Sequence, residues 1–316
     1  VTNKGSLDAP GLRAQAAAAA VLGVPSAAQH LRHLASRPGR EVFVVDAPGR
    51  RLVAKCYPDR VRAQRGGERL AALGGEHGPL LVPDCLRIDL DARVVVMSLL
   101  HGRPLGSTLD GPEAGAAAAH VGRAVATLHS IPAVLPTELR RAEMIGLAGS
   151  LVLDGEDAAR AEITLTRAIT LLDASDESTL VPSHGDLGPA QILDCGQHIG
   201  IVDFDKAVMA EPALDLGNLL AQLARKRGPE GGRLFGTLFD AYRSVETGGP
   251  RAAPVPGGGA KPSRSEVLGY ALLVLLRKLA WLPAEERPQV RAAIDALDFW
   301  YRGGDSNSHG LSPSRF

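Results

Sequence analysis

The sequence predicts an α+β protein whose first third builds a small antiparallel sheet and whose larger remainder is mainly helical. Three observations carry that expectation. EVFVVDA at 41–47 and RLVAKCY at 51–57 are β-rich runs joined by Pro48-Gly49-Arg50, a hairpin signal. PEAGAAAAHVGRAVATLHS at 112–130 has the length and period of a buried helix and stops before Pro132. Strands come first and helices after, with the change of texture at 97–102, the order of an α+β chain rather than of alternating β-α units.

In chain order, GLRAQAAAAAVLGVPSAAQH at 11–30 loosely mimics a secretory leader. The run is mostly alanine, which is weakly apolar but the best helix former, so a short leading helix ending near Gly23–Pro25 is expected. QHLRHLAS at 29–36 is an earlier strand, joined to the next by the turn-like RPGR at 37–40. DRVRAQRGGERLAAL at 59–73 has helical character weakened by Gly66-Gly67, and LLVPDCLRIDL and ARVVVMSLL supply two more strands up to Leu100. Beyond the 112–130 helix, further helices are expected at 156–174, 212–224 with Pro at the first turn, 233–245, 264–282 and 284–301. TGGPRAAPVPGGGAKPS at 247–263 reads as a mobile loop and 303–316 as a disordered tail. The domains expected are an N-terminal lobe over 1–100, leading helix included, and a C-terminal lobe over 101–302.

The chain has 35 Lys plus Arg against 35 Asp plus Glu, so no overall field points to nucleic acid or a membrane surface. Cys56, Cys85 and Cys195 show neither a zinc spacing nor a disulfide framework, which suits a reducing compartment. No segment approaches the roughly 18 apolar residues of a membrane span. A cytoplasmic protein with no nucleic-acid or membrane partner is expected, and the sequence specifies no protein partner.

The chemistry concentrates in SHGDLGPAQILDCGQHIGIVDFDKA at 183–207. Asp186 lies in a loop before Gly188-Pro189, and Asp203 emerges at the end of the Ile201-Val202 run. A hairpin through Cys195-Gly196-Gln197 would bring Asp186, Gln191 and Asp203 to one edge. Two carboxylates and an amide oxygen form a hard-oxygen set that suits Mg²⁺, whose remaining ligands are commonly phosphate oxygens. That points to nucleotide phosphoryl transfer, in which one Asp holds metal and another orients the attacking hydroxyl.

HGDLGPAQIL, IVDFD and EPALDLGNLLA together resemble the aminoglycoside phosphotransferase and choline kinase family, which has a bilobal protein-kinase-like fold. The resemblance is close at 184–217 and weaker, but in order, over roughly 30–300. It implies Asp186 as the catalytic Asp, Asp203 and Gln191 as Mg²⁺ ligands, and ATP or GTP as co-substrate. It also implies His184 as a structural tie and Asp215 as a brace for the catalytic loop. Lys55 matches the strand lysine that reaches the α- and β-phosphates, with Glu68 as its expected helix partner and Glu76 in reserve. The backbone of Ser98 and Leu100 would hold adenine, and Gly39 in RPGR would lie over the phosphates.

Gln191 stands where the family pattern has Asn; it carries the same amide oxygen on a chain one methylene longer. Asp205-Lys206 is a second departure, and Asp205 is open between a metal contact, a substrate-facing carboxylate and a turn cap. His129 reads as a helix-end histidine. The acceptor expected is a hydroxyl on a small molecule. The alternatives are a peptide Ser/Thr in a natural-product pathway, or a nucleotide-binding pseudokinase acting as a partner subunit. RKRGPEGGRL and LLRKLAWLP, from the helices that would face the acceptor, are not acidic, which argues against a polycationic antibiotic.

Overall fold

The computed structural model describes residues 9–37, 39–153, 155–175, 179–245 and 261–303. Most of the 247–263 loop and the tail beyond 303 lie outside the described residues. The chain divides into two compact units. One runs to Gly102 and takes in Cys195–Lys206; the other comprises Arg103–Asp194 and the chain from Ala207 onward.

The first unit opens with α1 (Ala9–Leu22), followed by strands β1 (His30–Arg37), β2 (Arg40–Ala47) and β3 (Arg50–Cys56). Then come α2 (Arg60–Leu73), the short β4 (Gly75–His77) and β5 (Leu80–Val82), β6 (Cys85–Asp89) and β7 (Val94–Ser98). The main sheet runs β1-β2-β3-β7-β6, every pair antiparallel. Strand alternation sorts its two faces. Phe43, Val45, Leu52, Ala54, Cys56, Val94 and Val96 pack with Ala14, Ala17 and Ala18 of α1, each large apolar side chain contributing about 1.5–3 kcal/mol when fully buried. Lys55, between Ala54 and Cys56, therefore faces the other side.

On that side, α2 begins at Asp59, whose carboxylate caps Arg62 N–H at 2.8 Å. It buries Ala63, Gly66, Gly67, Leu70 and Leu73. The two glycines that weaken the helical pattern are thus contact points: a Cβ at Gly66 would lie 2.5 Å from the Tyr57 hydroxyl, and one at Gly67 would lie 2.5 Å from Ile88. Within this unit the returning segment 195–206 adds β12 (Ile199–Ile201), parallel to β5, with Ile199 N–H donating to Pro79 O at 2.8 Å. This pairing fixes where the chain emerges at Asp203.

The second unit is chiefly helical. Its elements are β8 (Arg103–Pro104), α3 (Leu105–Thr108), α4 (Ala114–His129), β9 (Glu138–Leu139), α5 (Arg141–Gly149), α6 (Gly155–Asp173), β10 (Val181–Ser183), β11 (Ile192–Asp194) and β13 (Val208–Ala210), then α7 (Ala213–Ser244), α8 (Arg264–Trp281) and α9 (Arg287–Gly303). α7 covers the two helices expected at 212–224 and 233–245. They join at Gly228, whose φ of 53° lies in the left-handed region, with Pro229 beyond it. α8 begins in a reciprocal capping box between Ser263 and Glu266. A small sheet pairs β13 antiparallel to β10 and parallel to β9. Among the described residues no helix is long and apolar enough to cross a membrane.

Candidate active site

The first unit contributes a charged cluster built on β3. Lys55 is 5% exposed, and a buried ammonium requires partners. Its Nζ donates to Asp203 Oδ1 and Asp205 Oδ1, both at 2.6 Å. Tyr57, two residues on and so on the same face, donates its hydroxyl to Asp205 Oδ1 at 2.8 Å. Burial, then the charge of Asp205, push that phenol well above its ordinary value, so it stays a donor at neutral pH. Arg40 donates to Asp205 Oδ2 and reaches Asp203 Oδ2 at 3.4 Å. Burial disfavours the Arg40 charge, but Asp203 and Asp205 more than offset it. Arg69 of α2 donates to the Asp205 carbonyl. Asp203 itself holds φ 70°, in the left-handed region that costs an L-residue roughly 1–2 kcal/mol.

Not every expected partner joins this cluster. Glu68 is exposed and accepts a hydrogen bond from Gln64 Nε2 at 2.8 Å instead of meeting Lys55. The reason is helical phase: Gly66 and Leu70 face inward, and Glu68 lies about 200° around the helix from Gly66. Glu76 pairs with His198 at 3.3 Å. In place of a helix glutamate, Asp203 and Asp205 satisfy the lysine. Ser98 has its N–H committed to Asp84 O at 3.0 Å, and its Oγ accepts Asp84 N–H at 2.8 Å, so its amide is not open to a purine edge. Leu100 follows β7, half-buried. Gly39, φ 74°, turns the hairpin against Pro58.

The second unit contributes the loop after β10. Asp215, in the first turn of α7, is 0% exposed. Its Oδ2 accepts His184 N–H at 2.7 Å and its Oδ1 accepts Gly185 N–H at 2.9 Å. His129 Nε2 lies 3.3 Å from Oδ2, and His129 Nδ1 lies 3.0 Å from the Tyr242 hydroxyl. Burial alone would raise the Asp215 carboxyl; the hydrogen bond and charge of His129, together with His184, hold it below the ordinary carboxylate value. Gly185 at φ 80° makes the turn. Asp186 follows, half-buried, its N–H donating to His184 Nδ1 at 3.3 Å. Arg277 of α8 lies within the field of Asp186: burial pulls the guanidinium below its ordinary value and Asp186 pushes back. It also stacks on Trp281 with 4.6 Å to the ring centroid.

Gln191 ends a short 3₁₀ turn, Pro189–Gln191, and its Oε1 is buried with no hydrogen-bond partner. An orphaned buried amide oxygen is costly unless something arrives to use it. Among the described residues no group of three or more His, Cys, Asp or Glu side chains could hold a metal ion. Such an amide oxygen is a hard donor of the kind Mg²⁺ takes, and Mg²⁺ leans on few protein groups and on substrate oxygens for the rest.

Arg40, Tyr57, Arg69 and Arg277 were not singled out in the sequence. Two left a signal. Tyr57 shares the face of Lys55 by alternation, and Val42 pairs with Lys55 in register, which places Arg40, two residues before Val42, on that face too.

A comparison with family models matches residues 31–255 to the phosphotransferase enzyme family. The chain belongs to that family. This phosphotransferase is similar in fold to a choline/ethanolamine kinase family protein from Mesorhizobium loti, with a TM-score of 0.61 at 22% identity over 95% of this chain and 96% of that one. It is similar to an aminoglycoside-3'-phosphotransferase of type VIII, with a TM-score of 0.56 at 22% identity over 83% of this chain and 98% of that one. It is also similar to the macrolide 2'-phosphotransferase MphH from Brachybacterium faecium, with a TM-score of 0.54 at 21% identity over 88% and 95%. A comparison with curated protein sequences found no match. The phosphotransferase thus has the α+β, protein-kinase-like fold of these kinases.

Proposed function

We propose that this phosphotransferase moves the γ-phosphate of ATP or GTP to a hydroxyl of a small molecule, with Mg²⁺ as the metal. The observation that carries this reading is the ion pair of the buried strand lysine, Lys55, with Asp203 at 2.6 Å. Nucleotide phosphates need such a lysine, and the metal that bridges them needs such a carboxylate. Lys55 would turn from Asp203 to the phosphates, while Gln191 and Asp203 would hold Mg²⁺, which supplies charge neutralisation on the transferring group. Asp186, on a loop fixed by Asp215, would orient the acceptor hydroxyl and take its proton. Nucleotide binding falls to the first unit and acceptor chemistry to the second. Arg277 beside Asp186 disfavours a polycationic acceptor. The structural neighbours' named substrate classes, choline or ethanolamine, an aminoglycoside and a macrolide, support a small-molecule acceptor. Cys56, Cys85 and Cys195 form no disulfide, which together with the use of nucleotide suits a cytoplasmic setting.

The test is thermal unfolding with ATP and with GTP, each with and without Mg²⁺, followed by a screen of acceptors for ADP or GDP release. A nucleotide at ~100 times its dissociation constant stabilises the fold by about 2.7 kcal/mol. Mg²⁺-dependent stabilisation, with turnover abolished in Asp186→Asn and nucleotide binding retained, is the expected result. Stabilisation indifferent to Mg²⁺ and turnover unaffected in Asp186→Asn would overturn the reading.

A further inference from the structure

The first unit holds a cavity of about 380 Å³ that neither Lys55 nor Asp203 lines. Its walls come from the turn between β1 and β2, from one face of α2, and from the segment just after Asp203. Arg37, Arg40, Arg62, Arg65, Arg69 and Lys206 line it, and the single carboxylate among them is that of Asp205. That carboxylate is already engaged by Lys55, Tyr57 and Arg40, so it does little to neutralise the wall. Asp59 reaches Arg62 from the rim, at 3.6 Å.

Arg62, Arg65 and Arg69 stand at i, i+3 and i+7, one stripe of α2. Like charges so placed destabilise a helix, and Arg65 adds to burial in lowering the Arg69 guanidinium. The chain thus concentrates cations against its own stability at a concave, half-open place. Guanidinium groups bind phosphate oxygens in a planar, often bidentate geometry, and several converging on one cavity select for more than a single charge. The volume falls within the range of small-molecule sites.

We propose that this cavity is a second anion site, separate from the nucleotide position at Lys55, and that it binds a small, multiply charged anion of the phosphate class. The site needs no turnover to be occupied, so it stands or falls apart from the phosphotransfer reading.

The experiment is isothermal titration of the full chain with inorganic pyrophosphate, and with inorganic phosphate, without nucleotide or Mg²⁺ and at ionic strength held constant with chloride. Three proteins are compared: wild type, the double variant Arg62→Gln/Arg65→Gln, and Lys55→Met. Arg62 and Arg65 are exposed, so the double variant should fold. The expected result is binding by wild type, weakened roughly tenfold or more in the double variant and weakened by less in Lys55→Met, where Asp205 loses one of its three partners. Loss in Lys55→Met with the double variant unaffected would place the anion at the nucleotide position and overturn the proposal, as would the absence of binding in wild type. Titration with ATP then separates two sources of the same chemistry. A second ATP per chain, lost in the double variant, identifies the ligand as nucleotide. One ATP, with pyrophosphate still binding beside it, identifies a separate phosphate compound.

Discussion

Asp203 and Asp215 are both acidic side chains surrounded by donors, yet they are held in opposite ways. The side chain of Asp203 is 29% exposed, and two of its partners are the ends of Lys55 and Arg40. Asp215 is fully buried, and two of its partners are backbone N–H groups, those of His184 and Gly185. A cation on a long side chain can release a carboxylate and turn to an incoming phosphate. A backbone amide cannot do so without moving the chain. Asp203 is therefore exchangeable, whereas Asp215 is a fastener that fixes the loop carrying Asp186.

The largest expected effect breaks the pair apart by readout. Asp203→Asn should lower turnover by roughly 10³-fold, about 4 kcal/mol of barrier, while changing folding stability by less than about 1 kcal/mol. Lys55 keeps Asp205 as a partner, so no buried charge is stranded. Steady-state nucleoside diphosphate release and urea unfolding measure the two quantities. A stability loss of several kcal/mol would make Asp203 a fastener too, and the contrast would collapse.

Asp215→Asn should show the reverse weighting. An amide offers one acceptor oxygen where the carboxylate offers two, so either His184 or Gly185 N–H is left buried and unmatched. A loss of about 2–4 kcal/mol follows, read as a lower urea midpoint. This loss should depend on pH. The folded carboxyl of Asp215 lies below its ordinary value, so its contribution is complete above the unfolded carboxylate pKa near 4 and fades as pH falls through the folded value. The wild-type-minus-variant difference should be flat between about pH 5 and 7 and shrink below about pH 4. A difference that grows on acidification would contradict the assignment.

What the sequence made legible follows the same division between local and distant. The Pro48-Gly49-Arg50 hairpin, the alternation of 51–57 and the period of 112–130 are local signals, and β2, β3 and α4 form where they stand. α5 left little trace: RAEMIGLAG is short, with Gly146 and Gly149 breaking its pattern. The motifs at 183–207 and 211–221 marked Asp203 and Asp215 because their spacing is local. The partners of Lys55 are not local. Asp205 lies 150 residues away, and choosing Glu68 required the rotational phase of α2, which Gly66-Gly67 obscured. Glycines read as weak points in a helix proved to be the places where Tyr57 and Ile88 come close.

That close approach offers a smaller test of the exchangeable side. Gly66→Ala should gain up to about 1 kcal/mol from helix propensity but meet the Tyr57 hydroxyl at 2.5 Å. Tyr57 is buried and cannot yield without leaving Asp205. The net expectation is a loss of about 1 kcal/mol, since overpacking of a buried contact outweighs the propensity gain. Thermal unfolding measures it. A stabilised variant would mean that Tyr57 moves freely, and that its bond to Asp205 does not hold the cluster.

Gln191 sharpens the contrast because it belongs to neither class. Asp203 has exchangeable partners and Asp215 fixed ones, whereas the Gln191 amide oxygen is buried with none. Left unmatched, it should cost about 1 kcal/mol, and a protein keeps such a defect where function needs the group. Gln191→Met fills nearly the same volume without a polar atom. It should raise the thermal midpoint of the ligand-free protein by about 1–3 °C and at the same time reduce the extra stabilisation that Mg²⁺ brings to bound nucleotide. The two changes must appear together, because both come from removing one oxygen. A variant that is less stable without ligand would show that the oxygen already has a use in the fold. A variant that keeps the whole Mg²⁺ effect would leave Asp203 to hold the metal without it.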